Sequence, residues 1–282
     1  MRPTTTLLLS MVLLGTLALT ASADTESDIV SRYMKKTEAK QAHKIAWLSA
    51  QFSSVRINRN NDYNTFASFN SDQISGSSLN WLDQAPSFGL EFGLVFNERF
   101  AWSLGGEYWL KLGQNDNTPS TYTPPGGSGP VSATIVSEIK VYGLSTGMQY
   151  YFMGHPSAAN QLTRYALRAG GSVGLYQATW DLWPEYQNLN LATSIAEGDN
   201  ISFKGTAPSF SIDLGLDYPT SIFGLALGVD VSYLYLNFTN VAWYNVYDEE
   251  IVATVDGSAD GRVDLNLSGP RARLELKRFI GW

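Results

Sequence analysis

From residue 44 to residue 282, apolar residues recur at every second position in one segment after another. Successive side chains of a β-strand point to opposite faces, so this period predicts strands with one apolar and one polar face. Eight such segments can be distinguished, of which the first, at about residues 45–56, is the least regular. In the clearest segment, the apolar positions are Phe88, Leu90, Phe92, Leu94 and Phe96. We therefore predict an all-β fold of eight antiparallel strands.

The connections between the eight segments alternate strictly between long and short. The long, polar connections are residues 57–85, 113–136, 182–202 and 241–261. The short connections are residues 97–99, 153–161 and 218–221. If the first strand runs outward, all long loops lie at one end of an up-and-down barrel and all short turns at the other, which is typical of outer-membrane barrels.

Two details of the last long connection allow more than one interpretation. Residues 251–255 and 262–267 flank the turn-forming sequence DGSADG, which predicts a hairpin that lengthens the loop, with a ten-stranded barrel as the alternative. The same sequence resembles the start of a calcium loop, but Leu267 stands where a glutamate is required, which favours a simple turn. The apolar positions then change parity before the last strand, which predicts a β-bulge at Gly269-Pro270.

The first 23 residues have the composition of a secretory signal. Arg2 precedes an apolar run at residues 7–20, and Ala21-Ser22-Ala23 supplies the small residues of a cleavage site. The apolar run is shorter than the roughly 20 residues that span a bilayer as a helix. We predict three parts: a cleaved signal peptide at residues 1–23, a helical lead-in at residues 24–43 and a barrel at residues 44–282.

The overall composition excludes several classes of function. The chain has no cysteine, which excludes a disulfide framework, a thiolate metal site and a cysteine nucleophile. The formal net charge is -7, which disfavours nucleic acid as a partner. Only two histidines are present, and His43 precedes the first strand while His155 falls in a short turn. We therefore expect neither catalysis nor a metal or other cofactor.

The spacing of aromatic residues indicates which face of the barrel meets lipid. A soluble barrel with an apolar lumen has the same period of two, so alternation alone does not decide. On the apolar face, aromatic pairs such as Phe88 and Phe96 are eight residues apart, which spans roughly 20 Å in a tilted strand. That length fits aromatic girdles at the two edges of a membrane. The predicted girdle residues are Phe88, Phe96, Phe100, Tyr108, Tyr142, Tyr150, Phe210, Tyr218, Phe223, Tyr233 and Trp282.

The opposite face is rich in glycine and carries charges of both signs. Glycine weakens an exposed strand, but on the concave side of a small barrel it makes room for larger neighbours. Buried charges must be paired, because an uncompensated one costs on the order of 3 to 5 kcal/mol. The predicted luminal charge network consists of Glu91, Glu107, Lys111, Lys140, Arg164, Arg168, Asp213, Asp217, Asp230, Arg271, Arg273, Glu275 and Lys277.

Together, these features resemble the small eight-stranded outer-membrane barrels of Gram-negative bacteria, of the OmpA-domain, OmpX and OmpW type. The resemblance covers residues 44–282 and includes a last strand in which Leu274, Leu276, Ile280 and Trp282 share one face. It implies location in the outer membrane, with lipid and lipopolysaccharide as neighbours. It also implies that the barrel-assembly machinery reads the last strand, although Arg278 departs from that pattern.

Within this class, the sequence favours a surface interaction or envelope-structural protein. Exposed aromatic residues on loops favour binding of an external ligand, and the membrane interface is an equally good explanation for them. The candidate contacts are Trp180, Trp183, Tyr186, Trp243, Tyr244 and Tyr247. Eight strands enclose a lumen that side chains can fill, so a narrow channel or a carrier of small, apolar solutes is the alternative. A lipid-modifying enzyme is less favoured, because a histidine base at the external rim is missing.

Overall fold

The structure, a computed structural model, describes residues 45–73, 80–97, 99–112, 120–122, 131–154, 165–187, 201–220, 224–244, 250–251 and 262–281. The predicted signal peptide and helical lead-in lie outside these ranges. None of the helices described in them has the length and apolar character needed to cross a membrane.

Eight long strands form the wall. They are β1 (Ile45–Arg56), β2 (Gln84–Asn97), β3 (Phe100–Leu112), β4 (Val131–Met153), β5 (Ala166–Gln187), β6 (Ile201–Pro219), β7 (Leu225–Val241) and β8 (Gly269–Gly281). Each strand pairs antiparallel with the next along the chain. β8 pairs in turn with β1, from Ile45 opposite Gly281 to Val55 opposite Arg271. The ring is closed, which confirms the predicted eight-stranded antiparallel barrel and removes both sheet edges.

The wall extends beyond the predicted strands at the end that carries the long connections. β4 has 23 residues and β5 has 22, and they pair as far as Ser132 opposite Gln187. Residues 131–136 and 182–187 are therefore strand, and the prediction that they belong to loops was wrong. Four short strands add to this end, at Ser120–Tyr122, Trp243–Tyr244, Glu250–Ile251 and Val263–Asn266. The strands stay paired beyond the apolar part of the wall, because hydrogen bonds between backbone groups do not depend on apolar surroundings.

The strand pairs on either side of the last connection decide against one of its two predicted forms. β7 pairs directly with β8, from Leu225 opposite Arg278 to Leu234 opposite Gly269, so the ten-stranded alternative was wrong. Glu250–Ile251 pairs with Tyr244 and Trp243, and Val263–Asn266 pairs with β7. Most of the first arm of the predicted hairpin, and its turn, lie outside the described residues.

The predicted bulge at Gly269-Pro270 was also wrong. Leu265 lies opposite Phe238 and Pro270 lies opposite Tyr233, so the register is unbroken between them. The register shift occurs between Val263 and Leu265 instead. The apolar positions change parity because the inward side chains change from apolar to charged along the barrel, without any slip of the strand.

The interior has apolar clusters at both ends. The long-loop cluster contains Val55, Ile57, Tyr63, Ala67, Leu82, Ala85, Trp109, Leu112, Ile139, Val141, Tyr176, Ala178, Trp180, Phe203, Ala207, Leu234, Leu236, Phe238, Val263, Leu265 and Leu267. The short-turn cluster contains Ile45, Trp47, Ala101, Tyr151, Ala166, Ala226 and Phe279. On the chain leading into and along β8, Leu267 belongs to the first cluster and Phe279 to the second, and the inward charges lie between them.

A helix that the sequence analysis did not predict lies in the first long connection. This helix, α1 (Asp62–Gln73), begins with a side-chain cap in which the Asn61 carboxamide oxygen accepts the Asn64 backbone N–H at 2.9 Å. The Asn64 side chain bonds both backbone groups of Leu82, at 2.7 Å and 3.1 Å. Tyr63 is buried and meets the Trp180 ring edge to face at 5.2 Å. α1 is thereby fixed to the long-loop cluster.

Inward glycines allow close approach of aromatic side chains. A Cβ added to Gly93 would collide with the Trp47 ring, and one added to Gly143 would collide with the Tyr176 ring. Neither ring can occupy its position beside a larger residue. The expected role of glycine on the concave face is confirmed at these two positions.

We predict that Asn64→Ala will loosen the first long connection without unfolding the barrel. The substitution removes the bonds to Leu82, each worth about 1 kcal/mol, and strands two buried backbone groups. Limited proteolysis should cut residues 57–83 faster, while the folded band on unboiled gels should persist. The matched control is Thr65→Ala, at an exposed position one residue away. Equal cleavage of the two variants would contradict the proposed anchoring.

Candidate functional site

The outer face of the barrel is mainly apolar. Leu90, Leu144 and Val231 are between 62% and 67% exposed, and they represent a much larger set of outward leucine, valine and aromatic side chains. A soluble monomer rarely exposes more than a few hundred Å² of contiguous apolar surface. Because the centre of the lumen is charged and the outer face exposes many large apolar side chains, the alternative of a soluble barrel with an apolar lumen is excluded.

Outward aromatic residues are aligned across neighbouring strands. Phe52, Phe88, Tyr108 and Tyr142 lie opposite one another in a row over β1 to β4 at the long-loop side. At the short-turn side, the rings of Phe100 and Tyr150 are 4.9 Å apart. The other predicted girdle residues that are exposed on the outer face are Phe96, Phe210, Tyr218 and Tyr233. Phe223 and Trp282 lie outside the described residues.

The centre of the lumen holds a buried cluster of six charged side chains. Arg168 on β5 donates to Asp230 at 2.7 Å, to Glu275 at 2.8 Å and to Asp217 at 3.3 Å. Lys277 lies 2.7 Å from Glu275 and 3.1 Å from Asp217, and Arg273 lies 3.4 Å from Glu275. Three bases thus balance three acids, as burial of charge requires. The cluster joins β5, β6, β7 and β8.

Glu107 is the centre of a second group nearer the long-loop end. Its carboxylate is 3.4 Å from Arg271 and accepts hydrogen bonds from the Tyr176 hydroxyl at 2.7 Å and the Ser53 hydroxyl at 3.1 Å. Ser87 donates a third hydrogen bond to the same carboxylate. These contacts link β3 to β1, β2, β5 and β8. The three neutral hydroxyl donors add to the stabilisation that Arg271 gives to the negative charge of Glu107.

Two predicted network members line a small polar cavity between these groups. Glu91 accepts a hydrogen bond from the Trp47 indole N–H at 3.2 Å, and Asp213 accepts one from the Ser211 hydroxyl at 3.2 Å. Both side chains line the cavity together with Gln149 and Arg273.

The structure contradicts one member of the predicted network. Lys140 lies on the outer face, where it contacts Glu138 at 2.9 Å and Asp181 at 3.8 Å. The reason is parity, because Lys140 is two residues from the outward Tyr142 and so must point the same way. Nothing is described of Arg164 or of the Lys111 side chain.

The predicted external contacts are only partly described. Trp183 and Tyr186 belong to β5, and Trp243 and Tyr244 form a short strand beside Phe203 and Ser202 of β6. Tyr247, His43, His155 and the calcium-like sequence at residues 256–261 lie outside the described residues. In the ranges given above, no three histidine, cysteine or acidic side chains converge on a possible metal position.

Trp180 was wrongly predicted as an external contact. It is fully buried in the long-loop cluster, and its indole N–H donates to the Ser137 hydroxyl at 2.9 Å. The sequence analysis also missed the inward Trp47, Trp109 and Tyr176. Trp47 and Tyr176 could have been predicted to point inward, because each occupies an inward position of its strand and lies beside a glycine of the neighbouring strand. The Tyr63 phenol next to Trp180 is also removed from water, and burial raises the pKa of Tyr63 to about 12.

Comparisons with known proteins show only distant similarity to solved outer-membrane proteins. No family model and no curated protein matches the chain. Among solved structures, OprG from Pseudomonas aeruginosa is 13% identical, with a TM-score of 0.40, over 85% of this chain and 96% of that chain. Neisserial surface protein A is 12% identical, with a TM-score of 0.38, over 86% and 98%.

A major outer membrane protein from Thermus thermophilus is 11% identical, with a TM-score of 0.44, over 83% of this chain and 99% of that chain. Because these identities and TM-scores are low, the fold is assigned from the strand pairs of this chain, which close into a ring. By that architecture, with an apolar exterior and a charged interior, the chain is a small eight-stranded β-barrel of the outer-membrane type.

We predict that Arg168→Ala will destabilise the barrel strongly. Removing one partner of a buried ionic cluster costs about 3 to 5 kcal/mol, because acids remain buried without compensation. The midpoint temperature at which the folded band disappears on unboiled gels should fall. Arg278→Ala is the matched control, since Arg278 is exposed on the outer parity of β8. Adding Glu275→Gln to Arg168→Ala should restore part of the loss, and an unchanged midpoint in Arg168→Ala would refute the role of the cluster.

Proposed function

We propose that the protein is a non-enzymatic outer-membrane barrel that serves as a surface interaction or envelope-structural protein. The supporting observation is the filled interior. Large buried side chains occupy both apolar clusters, and a salt-bridged layer with Arg168 at 2% and Lys277 at 0% exposure lies between them. An eight-stranded barrel is just wide enough for such filling.

The long-loop end is the part of the barrel that we assign to contact with other molecules. α1 and four short strands lie there, and the Asp264 backbone N–H links the short strand Val263–Asn266 to α1 by donating to the Asp62 carboxylate at 2.6 Å. Rigid scaffolds that present ordered loops are the usual arrangement for recognition. We further propose export through the inner membrane by a cleaved signal peptide, with lipopolysaccharide as a neighbour of this end.

A narrow channel is the second candidate, and the polar cavity beside Glu91 and Asp213 is the observation in its favour. A polar space halfway through a barrel shortens the apolar barrier that a solute meets. The two apolar clusters on either side oppose passage of ions, because they offer few polar groups to replace hydration.

Planar-bilayer recording separates the two candidates. We predict that the purified protein will show no discrete conductance steps. Insertion of the protein is verified independently, by protection of the reconstituted barrel from added protease. Regular conductance steps from the unmodified protein would favour the channel.

The enzyme alternative has a separate test. We predict that mass spectra of lipid A will be identical in cells with and without the expressed protein, because the sequence places neither histidine at the external rim. A change in acyl chains that depends on the protein would overturn the non-enzymatic assignment.

The structural role is tested in a deletion strain. We predict that loss of the gene increases sensitivity to detergent with a chelator, and that the full chain restores resistance. A version with residues 245–261 replaced by a short glycine-serine turn should reach the membrane and fold, yet restore resistance less well if the long-loop end carries the function. Full rescue by the shortened version would place the function in the barrel wall.

A further inference from the structure

The outer face of the wall has a groove that crosses β3 and β4 on the long-loop side. Its volume is about 640 Å³, which is within the range of pockets that hold small molecules. Most of its lining is apolar and comes from Phe88, Leu90, Tyr108, Tyr142, Leu144 and Leu175.

The groove is present because Gly106, on the outer face of β3, has no side chain. Gly106 lies between Leu90 on β2 and Leu144 on β4, and the strand pairing is regular there, so the glycine does not serve a bulge. A Cβ added to Gly106 would lie 3.4 Å from Leu144 Cδ2 and 3.9 Å from the Gly143 carbonyl oxygen, so a side chain has room. Inward glycines such as Gly93 make room for aromatic rings, but no described side chain fills the space over Gly106. A strand glycine of this kind indicates close approach of another molecule.

The polarity of the outer face changes in steps from the groove towards the long-loop end. Tyr108 lies opposite Tyr142 in the row next to Gly106, and Gln177 and Thr206 continue this row on β5 and β6. All four side chains line the groove. Hydroxyl and carboxamide groups at this height can form hydrogen bonds with the ester or amide linkage of an acyl chain.

The next row towards the long-loop end is basic. Lys140 lies opposite Thr179, which lies opposite Lys204, and both lysines are on the outer face. Lys140 is four residues from Leu144, which corresponds to roughly 13 Å along the strand and about 10 Å in depth at the usual tilt. The apolar, neutral polar and basic rows therefore complement, in that order, an acyl chain, its linkage and a phosphate.

We propose that this groove binds one acyl chain of lipid A, with a lipid A phosphate at Lys140 and Lys204. The inference rests on the proposed outer-membrane location, because that orientation places the long-loop side in the external leaflet, which lipopolysaccharide occupies in Gram-negative bacteria. An acyl chain outside the groove is still surrounded by hydrocarbon, so close packing and the polar contacts provide the selectivity.

The acids beside Lys140 distinguish a phosphate from other headgroups. Glu138 and Asp181 lie 2.9 Å and 3.8 Å from the Lys140 ammonium. A phosphate at Lys140 competes with these carboxylates, so loss of the Glu138 charge should strengthen binding. A headgroup that binds through a cation would be weakened by the same change.

The test is native mass spectrometry of the refolded full-length protein in a nonionic detergent with a chelator, titrated with purified lipid A or with phosphatidylglycerol. We expect one lipid A per barrel, retained at a lower lipid concentration than phosphatidylglycerol. No retention of lipid A, or equal retention of the two lipids, would overturn the proposal. Membrane fractionation tests the location separately: a protein that is found in the outer membrane but retains no lipid A refutes the groove and leaves the proposed function intact.

A variant that fills the groove locates the bound lipid. Gly106→Leu should reduce retention of lipid A about tenfold, because the new side chain occupies the space of the acyl chain. Ala169→Leu is the matched control, since Ala169 lies on the outer face between Tyr150 and Leu214, outside the groove. Equal retention by the two variants would place the lipid elsewhere and overturn the proposal.

Charge variants test the phosphate contact and remain informative if Gly106→Leu does not refold. Lys140→Gln should weaken retention of lipid A about threefold, and Glu138→Gln should strengthen it by a similar factor, as expected for charges at the surface. Weaker retention in Glu138→Gln, or unchanged retention in both variants, would overturn the assignment of a phosphate to Lys140.

Discussion

Closure of the wall by pairing of β1 with β8 is the constraint on which the rest of the structure depends. In a membrane, a backbone N–H or C=O group without a partner costs several kcal/mol, so the first and last strands must satisfy each other. Eleven residue pairs from Ile45 opposite Gly281 to Val55 opposite Arg271 achieve this. Closure with eight strands fixes a narrow lumen. The narrow lumen in turn explains why Trp47 and Tyr176 face glycines and why the inward charges lie within salt-bridge distance of one another.

Much of this architecture could be predicted from the sequence because one physical rule, the period of two, governs every strand. The number of strands, the side of the long connections and the inward direction of Arg168 and Glu275 all follow from it. The errors arose where a prediction relied on a second property in addition to the period of two. Lys140 was assigned to the lumen because it is charged, although its parity places it outside with Tyr142. The position of a residue along the strand decides whether its side chain points inward or outward, and the charge of the side chain does not change that direction.

The other errors have a common origin in the uneven interior. Because the lumen is apolar near the long-loop end, Val263 and Leu265 point inward while Leu274 points outward, and the apolar positions change parity without a bulge. Trp180 has the same explanation. The helix α1 escaped prediction since its stability comes from tertiary contacts, such as the side chain of Asn64 on the backbone of Leu82, and not from an apolar stripe of its own.

The position of the central ionic cluster has a consequence for how the barrel is completed. β8 supplies Glu275 and Lys277, whereas Arg168, Asp217 and Asp230 come from strands synthesised earlier. A chain that ends before β8 leaves those three side chains with an unbalanced charge and an open seam, which the membrane interior does not tolerate. The charges of the central cluster are therefore balanced only once β8 has joined the wall, so the step that closes the barrel is also the step that neutralises its interior.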